Sequence, residues 1–122
     1  MIGYTMVGTN DLEKAKTFYD AVLGELGAKR SFGAERMQFY GTSPNTPGFA
    51  VCRPHDGKAA TVGNGTMIAL AAPSREAVDK AHAKALASGG RDEGAPGLRS
   101  ETFYGAYFRD LDGNKLCVFK KG

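Results

Sequence analysis

Residues 73–90 read PSREAVDKAHAKALASGG, and the fold turns on how they are read. Ser74 is a strong helix N-cap, because its hydroxyl can accept a backbone N–H of the first turn. Ala77, Val78, Ala81, Ala85 and Leu86 then recur at helical spacing. Gly89-Gly90 ends the helix, since glycine tolerates the left-handed conformation that closes a last turn. An apolar run, TMIALAA at 66–72, precedes the helix and predicts a strand. Three further strands are expected near 91–96, 102–109 and 115–120, the last two joined by a DLDGN turn at 110–114. The order is βαβββ.

The same order stands at the N-terminus. IGYTMVG at 2–8 predicts a strand, and TNDLEKAKTFYDAVLGELG at 9–27 a helix. Asn10 or Asp11 can cap it, and Asn10 with Glu13 has capping-box spacing. Leu12, Ala15, Tyr19, Val22 and Leu26 form its apolar stripe, widened by Phe18 and Leu23, and Gly27 stops it. Strands are expected at about 28–33, 35–42 and 48–53, with SPNTP (43–47) as a loop. A shift of 63 residues puts Asp11 on Ser74, Glu13 on Glu76, Leu23 on Leu86, Gly27 on Gly90 and Tyr4 on Met67. Two modules, about 1–53 and 66–122, joined by a linker at about 54–65, make one duplicated domain.

Composition narrows the function classes. The net charge of +3 comes from basic residues interleaved with acids, which argues against a nucleic-acid groove or a membrane patch. No apolar window approaches the length of a membrane span. No charged-then-apolar leader opens the sequence, so a cytoplasmic protein is expected. Cys52 and Cys117 make no disulfide framework and read as reduced, buried thiols. FYGAYF at 103–108 faintly echoes an RNA recognition strand, but lacks the leading basic residue and sits among too many strands. DLDGN opens like a calcium loop, but no glutamate closes it and no helices flank it, so it reads as a hairpin turn. His55 reads as a solvated loop residue, and His82 as a helix residue flanking the sheet contact.

TNDLEKAKTFYDAVLGELG, APSREAVDKAHAKALASGGRDEGAPGLR (72–99) and FYGAYFRDLDGNKLCVF (103–119) together resemble the vicinal oxygen chelate superfamily. That superfamily contains glyoxalase I, extradiol dioxygenases and bleomycin-resistance proteins. Leu111 stands where the family's last turn usually has proline. The resemblance implies an α+β fold. Two βαβββ modules form an open, mostly antiparallel barrel around a concave pocket, with the helices outside. It also implies a homodimer, swapped or side by side.

The resemblance further implies a divalent metal, held by His, Glu or Gln on the first and last strand of each module. Here the matched positions hold Tyr4, Met67 and Cys117, and the fourth falls within GFAVCR (48–53), which offers no such donor. A Tyr, a Met and a Cys make a poor site for a hard cation. A copper(I) site on the Cys and Met is a weaker alternative. No metal and no other cofactor is therefore expected. The pocket candidates are Tyr4, Met67, Cys117, Phe49, Arg99 and Tyr104, with Phe39 and Tyr107 as further aromatics, and Arg99 at the rim after a Gly-Pro-rich loop.

Three functions follow. The first is a metal-free binder of a small aromatic or amphipathic molecule. The alternative is a glyoxalase- or dioxygenase-type enzyme, a lyase or isomerase acting on a small thiol adduct or an aromatic compound. Without metal it would need a base such as Tyr4, Cys117 or Glu101. The third is a noncatalytic interaction domain.

Overall fold

The computed structural model describes residues 1–122. The first module comprises β1 (Tyr4–Gly8), α1 (Leu12–Gly24), β2 (Lys29–Gly33), β3 (Met37–Gly41) and β4 (Gly48–Cys52). The second comprises β5 (Ile68–Ala71), α2 (Arg75–Ala87), β6 (Arg91–Ser100), β7 (Phe103–Arg109) and β8 (Lys115–Lys121). Each module folds its four strands into one mixed sheet, ordered β1-β4-β3-β2 and β5-β8-β7-β6. In both, the first and last strands pair in parallel and the other pairs are antiparallel. The two sheets stay separate and form no closed barrel.

Capping chemistry sets the helix starts. Asp11 accepts the Lys14 N–H and Ser74 the Ala77 N–H. Asn10 is therefore not the cap. Its side chain reaches the linker, accepting the Ala60 N–H at 2.7 Å and pinning it beside Gly8. Gly27 ends the first helical segment at φ +80°, with the Ala28 N–H returning to the Leu23 carbonyl. Gly89 takes φ +100°, and Gly90 has no room for a Cβ, which would lie 2.7 Å from the Arg109 carbonyl oxygen.

The core lies between the helices and the sheets. Phe18, Tyr19, Val22 and Leu23 of α1 pack with Val7, Tyr40, Phe49 and Val51. The small Ala77, Ala81 and Ala85 let α2 sit close on Ala106, Phe108, Leu116 and Val118. Phe18 reaches Phe108 across the modules at 6.2 Å. One stripe position departs from expectation. Leu86 is partly exposed, and His82 takes the buried place, its Nε2 3.0 Å from the Asp92 carboxylate. That hydrogen-bonding partner on β6 makes the polar ring tolerable against the sheet.

The DLDGN turn joins the modules. Asp110 is buried and accepts hydrogen bonds from the Asp112 N–H, the Asn114 N–H and side-chain amide, and the Tyr19 hydroxyl. Asn114 in turn donates to the Gly8 carbonyl at 2.8 Å. Nor is GAPGLR a loop. It lies within β6, whose register slips around Gly94 and Gly97 leave space for Pro96, which has no N–H to give the ladder.

Candidate functional site

Alternation along each strand sends one set of side chains to the helices and the other to an open face. On the first sheet that open face carries Tyr4 and Met6 of β1, Ala50 and Cys52 of β4, and Met37 and Phe39 of β3. Tyr4 meets Phe39 edge-on at 5.0 Å, and Phe32 lies 6.0 Å beyond. Gly48 lies beneath the plate in ordinary contact distance of both rings' residues. A Cβ there would stand 3.7 Å from Tyr4 and 3.8 Å from Phe39. Tyr4 is 59% and Phe32 60% exposed, so the plate faces outward rather than into the core.

On the second sheet the open face centres on Cys117, flanked by Ala69 and Tyr107. Cys117 is buried yet stands outside the core cluster that holds its neighbours Leu116 and Val118. The Tyr107 ring has the Arg99 guanidinium at 5.3 Å and the Lys115 ammonium at 5.7 Å from its centre. Arg99 is held there by the Ala95 and Gly97 carbonyls at 2.7 and 3.0 Å. Burial, the largest influence, raises the Cys117 thiol above its ordinary value, although Tyr107, Arg99 and Lys115 act in the other direction. The thiol is thus protonated at neutral pH and is neither a ready nucleophile nor a ready metal ligand.

The strand register identifies the fourth position of the duplicated set. Cys117 pairs with Ala69 as Ala50 pairs with Met6. Ala50 is therefore the repeat mate of Cys117. The positions where the resemblance implies metal ligands hold Tyr4, Ala50, Met67 and Cys117. This donor set does not fit a divalent ion, which needs three or more nitrogen, oxygen or thiolate ligands from the protein. No group of three or more His, Cys, Asp or Glu side chains is gathered elsewhere in the chain.

The other candidates separate. Phe49 and Met67 share an apolar groove of about 620 Å³ with Leu23, Leu26, Ile68 and Leu70, between the end of α1, the first sheet and β5. Phe49 faces the helix side, 4.9 Å from the Tyr19 ring. Tyr104 also faces its helix, donating to Asp79 at 2.6 Å beneath Arg75. Tyr4, the Cys117–Arg99 group, the Phe49–Met67 groove and Tyr104 are four places rather than one. Sequence reasoning missed Met6, Phe32 and Lys115 on the open faces. It also missed a polar cleft of about 530 Å³ lined by Arg36, Arg53, His55 and Lys58. Each of these residues sits at a strand end or in the linker, and closure of the β3–β4 hairpin brings Arg36 to Arg53.

Residues 1–118 match the model of the Glyoxalase/Bleomycin resistance protein/Dioxygenase superfamily. A glyoxalase/bleomycin resistance protein from Albidiferax ferrireducens T118 is 43% identical over 100% of this chain and 99% of its own, with a TM-score of 0.93. The hypothetical protein SA1046 from S. aureus is 25% identical, covering 98% of this chain and 92% of its own, at a TM-score of 0.73. Lactoylglutathione lyase from Agrobacterium tumefaciens shares the fold at 19% identity and a TM-score of 0.71, covering 98% of this chain and 92% of its own. None of the curated proteins compared matches this chain. With a matching family model over nearly its whole length, the chain belongs to the glyoxalase/bleomycin resistance protein/dioxygenase superfamily.

Proposed function

We propose that this protein binds a small aromatic or amphipathic molecule and uses no divalent metal to do so. The observation that carries this reading is the set of side chains at the four repeat-related positions, Tyr4, Ala50, Met67 and Cys117. They replace hard donors with an aromatic ring, a methyl group, a thioether and a protonated thiol. Tyr4, Phe39 and Phe32 supply broad apolar contact at low entropic cost, because aromatic rings have few rotatable bonds. Of the bases open to an enzyme of this fold, Cys117 is held protonated by burial and Glu101 sits in the exposed turn after β6.

The same reading includes a homodimer. β1 and β5 are both edge strands, and the exposed Tyr4, Met6 and Met67 lie on or beside them. A second copy covering these edges would shield unpaired backbone and apolar side chains together. The two free cysteines suit a reducing cytoplasm.

A thermal-shift series with Zn, Ni, Co and Mn ions against naphthol and related neutral aromatics tests the binding reading. Saturable stabilisation by an aromatic compound and none by the ions supports it. Stabilisation by an ion together with ion-dependent turnover overturns it.

A further inference from the structure

The polar cleft at the end of the first sheet is lined by Arg36, Arg53 and Lys58, with Glu35 as a carboxylate that balances them only in part. Arg36 and Arg53 face each other across the β3–β4 hairpin, where the Arg53 N–H donates to the Arg36 carbonyl at 2.8 Å. Each guanidinium is fixed by a backbone oxygen. Arg36 donates to the Arg53 carbonyl at 2.8 Å, and Arg53 to the Glu35 carbonyl at 3.1 Å. The carboxylates nearby do little to balance them. Glu35 reaches Arg53 only at 3.9 Å with its side chain 96% exposed, and Asp56 is engaged by the Lys58 N–H. Arg36, Lys58 and His55 have no carboxylate within ion-pair distance.

Other arginines of this protein are treated differently. Arg30 makes a two-pronged pair with Asp20, and Arg109 pairs with Glu93 at 2.8 Å. Like charges facing each other across a strand pair repel. Two guanidiniums held by carbonyls, Arg53 also lying 3.9 Å from the exposed Glu35 carboxylate, keep N–H groups free for a guest. A compact oxyanion matches that geometry, because a guanidinium fork complements two of its oxygens.

We propose that Arg36, Arg53 and Lys58, with His55 at the rim, form a binding site for a compact oxyanion such as a phosphoryl group. The site lies at the end of the first sheet, where Arg36 leads into Met37, which pairs with Cys52. Three residues of strand separate Arg36 from Phe39, roughly 10 Å at the usual rise. Being three residues apart on an extended segment, the two start on opposite faces, so the oxyanion site does not rest on the aromatic-binding reading above.

The test uses backbone amide NMR on the full chain with three probes: inorganic phosphate, phenyl phosphate and phenol. Phosphate and phenyl phosphate should each shift the amides of Arg36, Arg53, His55 and Lys58 saturably, and phenol should shift Tyr4 and Phe39 instead. Arg36→Gln and Lys58→Gln should each weaken phosphate binding by about tenfold, the weight of a charge-assisted hydrogen bond. Both should leave phenol shifts at the plate unchanged. Lys58 makes no side-chain bond, so its variant keeps the test independent of folding. Phosphate shifts with no phenol shifts at the plate sustain the oxyanion site and reject the aromatic reading. The absence of saturable phosphate shifts at these four residues overturns the site, and so does unaltered affinity in both variants.

Discussion

Tyr19 of the first helix donates its hydroxyl to Asp110, 91 residues downstream in the turn between β7 and β8. Both residues are buried, and the bond ties the two modules together. Tyr19→Phe leaves Asp110 its three other donors, so the expected loss is about 1–2 kcal/mol by urea denaturation. Asp110→Ala strands the Tyr19 hydroxyl and the Asn114 backbone N–H together, and should cost about 3 kcal/mol or more. Equal losses in the two variants would show that the turn does not depend on the carboxylate.

The same geometry sets an alkaline limit. Burial first, and then Asp110, raises the Tyr19 phenol, while burial and then the Asp20 hydrogen bond raise that of Tyr40. A raised folded-state value means that stability is fully present below the ordinary phenol range, about pH 10, and is lost above it as the unfolded phenols ionise. Asp20 works in the opposite sense. Its hydrogen bond to Arg30 holds it low, so its contribution is present above about pH 4 and lost as pH falls through the depressed value. Urea midpoints measured from pH 7 to 11 should be flat and then fall. The Tyr19→Phe, Tyr40→Phe double variant should lose most of that alkaline slope. An unchanged slope would assign it to other groups.

Much of the fold is legible in the sequence because its signals are local. Ser74, Asp11, Gly27 and Gly89-Gly90 mark the helices through hydrogen bonds and backbone angles that involve only near neighbours. Recurrence of βαβββ needs only that such signals repeat. The site is less legible because it depends on phase and pairing. Tyr104 and Tyr107 are three residues apart on one strand and so face opposite sides, but only the pairing of Tyr107 with Cys117 says which tyrosine faces out. Ala50 emerges as the mate of Cys117 through register alone. Arg36 and Arg53 become neighbours only when the hairpin closes.

Arg99 shows how placement changes an expectation. As an exposed rim residue its loss would barely affect stability. Fixed to the Ala95 and Gly97 carbonyls and covering Tyr107, it braces the irregular part of β6. Arg99→Ala should cost about 1–2 kcal/mol through lost bonds and packing. A change below about 0.5 kcal/mol, the usual scale of an inert surface position, would return it to the surface class.

Association is expected through the exposed edges. Sedimentation at micromolar concentration should give twice the 12.9 kDa chain mass. Met6→Lys on β1 should shift the population toward single chains without unfolding them, since Met6 is already partly exposed. A wild-type protein sedimenting as one chain would remove the dimer from the proposal.

The metal prediction is the most demanding, because it concerns both loss and recovery. Protein purified without chelator should carry well under about a tenth of an equivalent of Zn, Ni, Co, Mn or Fe, since no three suitable ligands converge. Tyr4→His, Met67→His and Cys117→Glu restore three hard or borderline donors at the repeat-related positions. Tyr4 and Met67 are exposed, so both imidazoles can be admitted without repacking the core. Cys117 is the harder change, because a carboxylate must enter a buried position beside Ala69 and Tyr107. Arg99 and Lys115, already beside Tyr107, supply positive charge to hold it ionised. The triple variant should take up about one equivalent by elemental analysis, provided each ligand finds a supporting hydrogen bond. Tyr4 and Met67 belong to different modules, so uptake should follow dimer formation if the second copy completes the set. Stoichiometric metal in the wild-type protein, with metal-dependent turnover, would overturn the metal-free reading and make the enzyme alternative the better one.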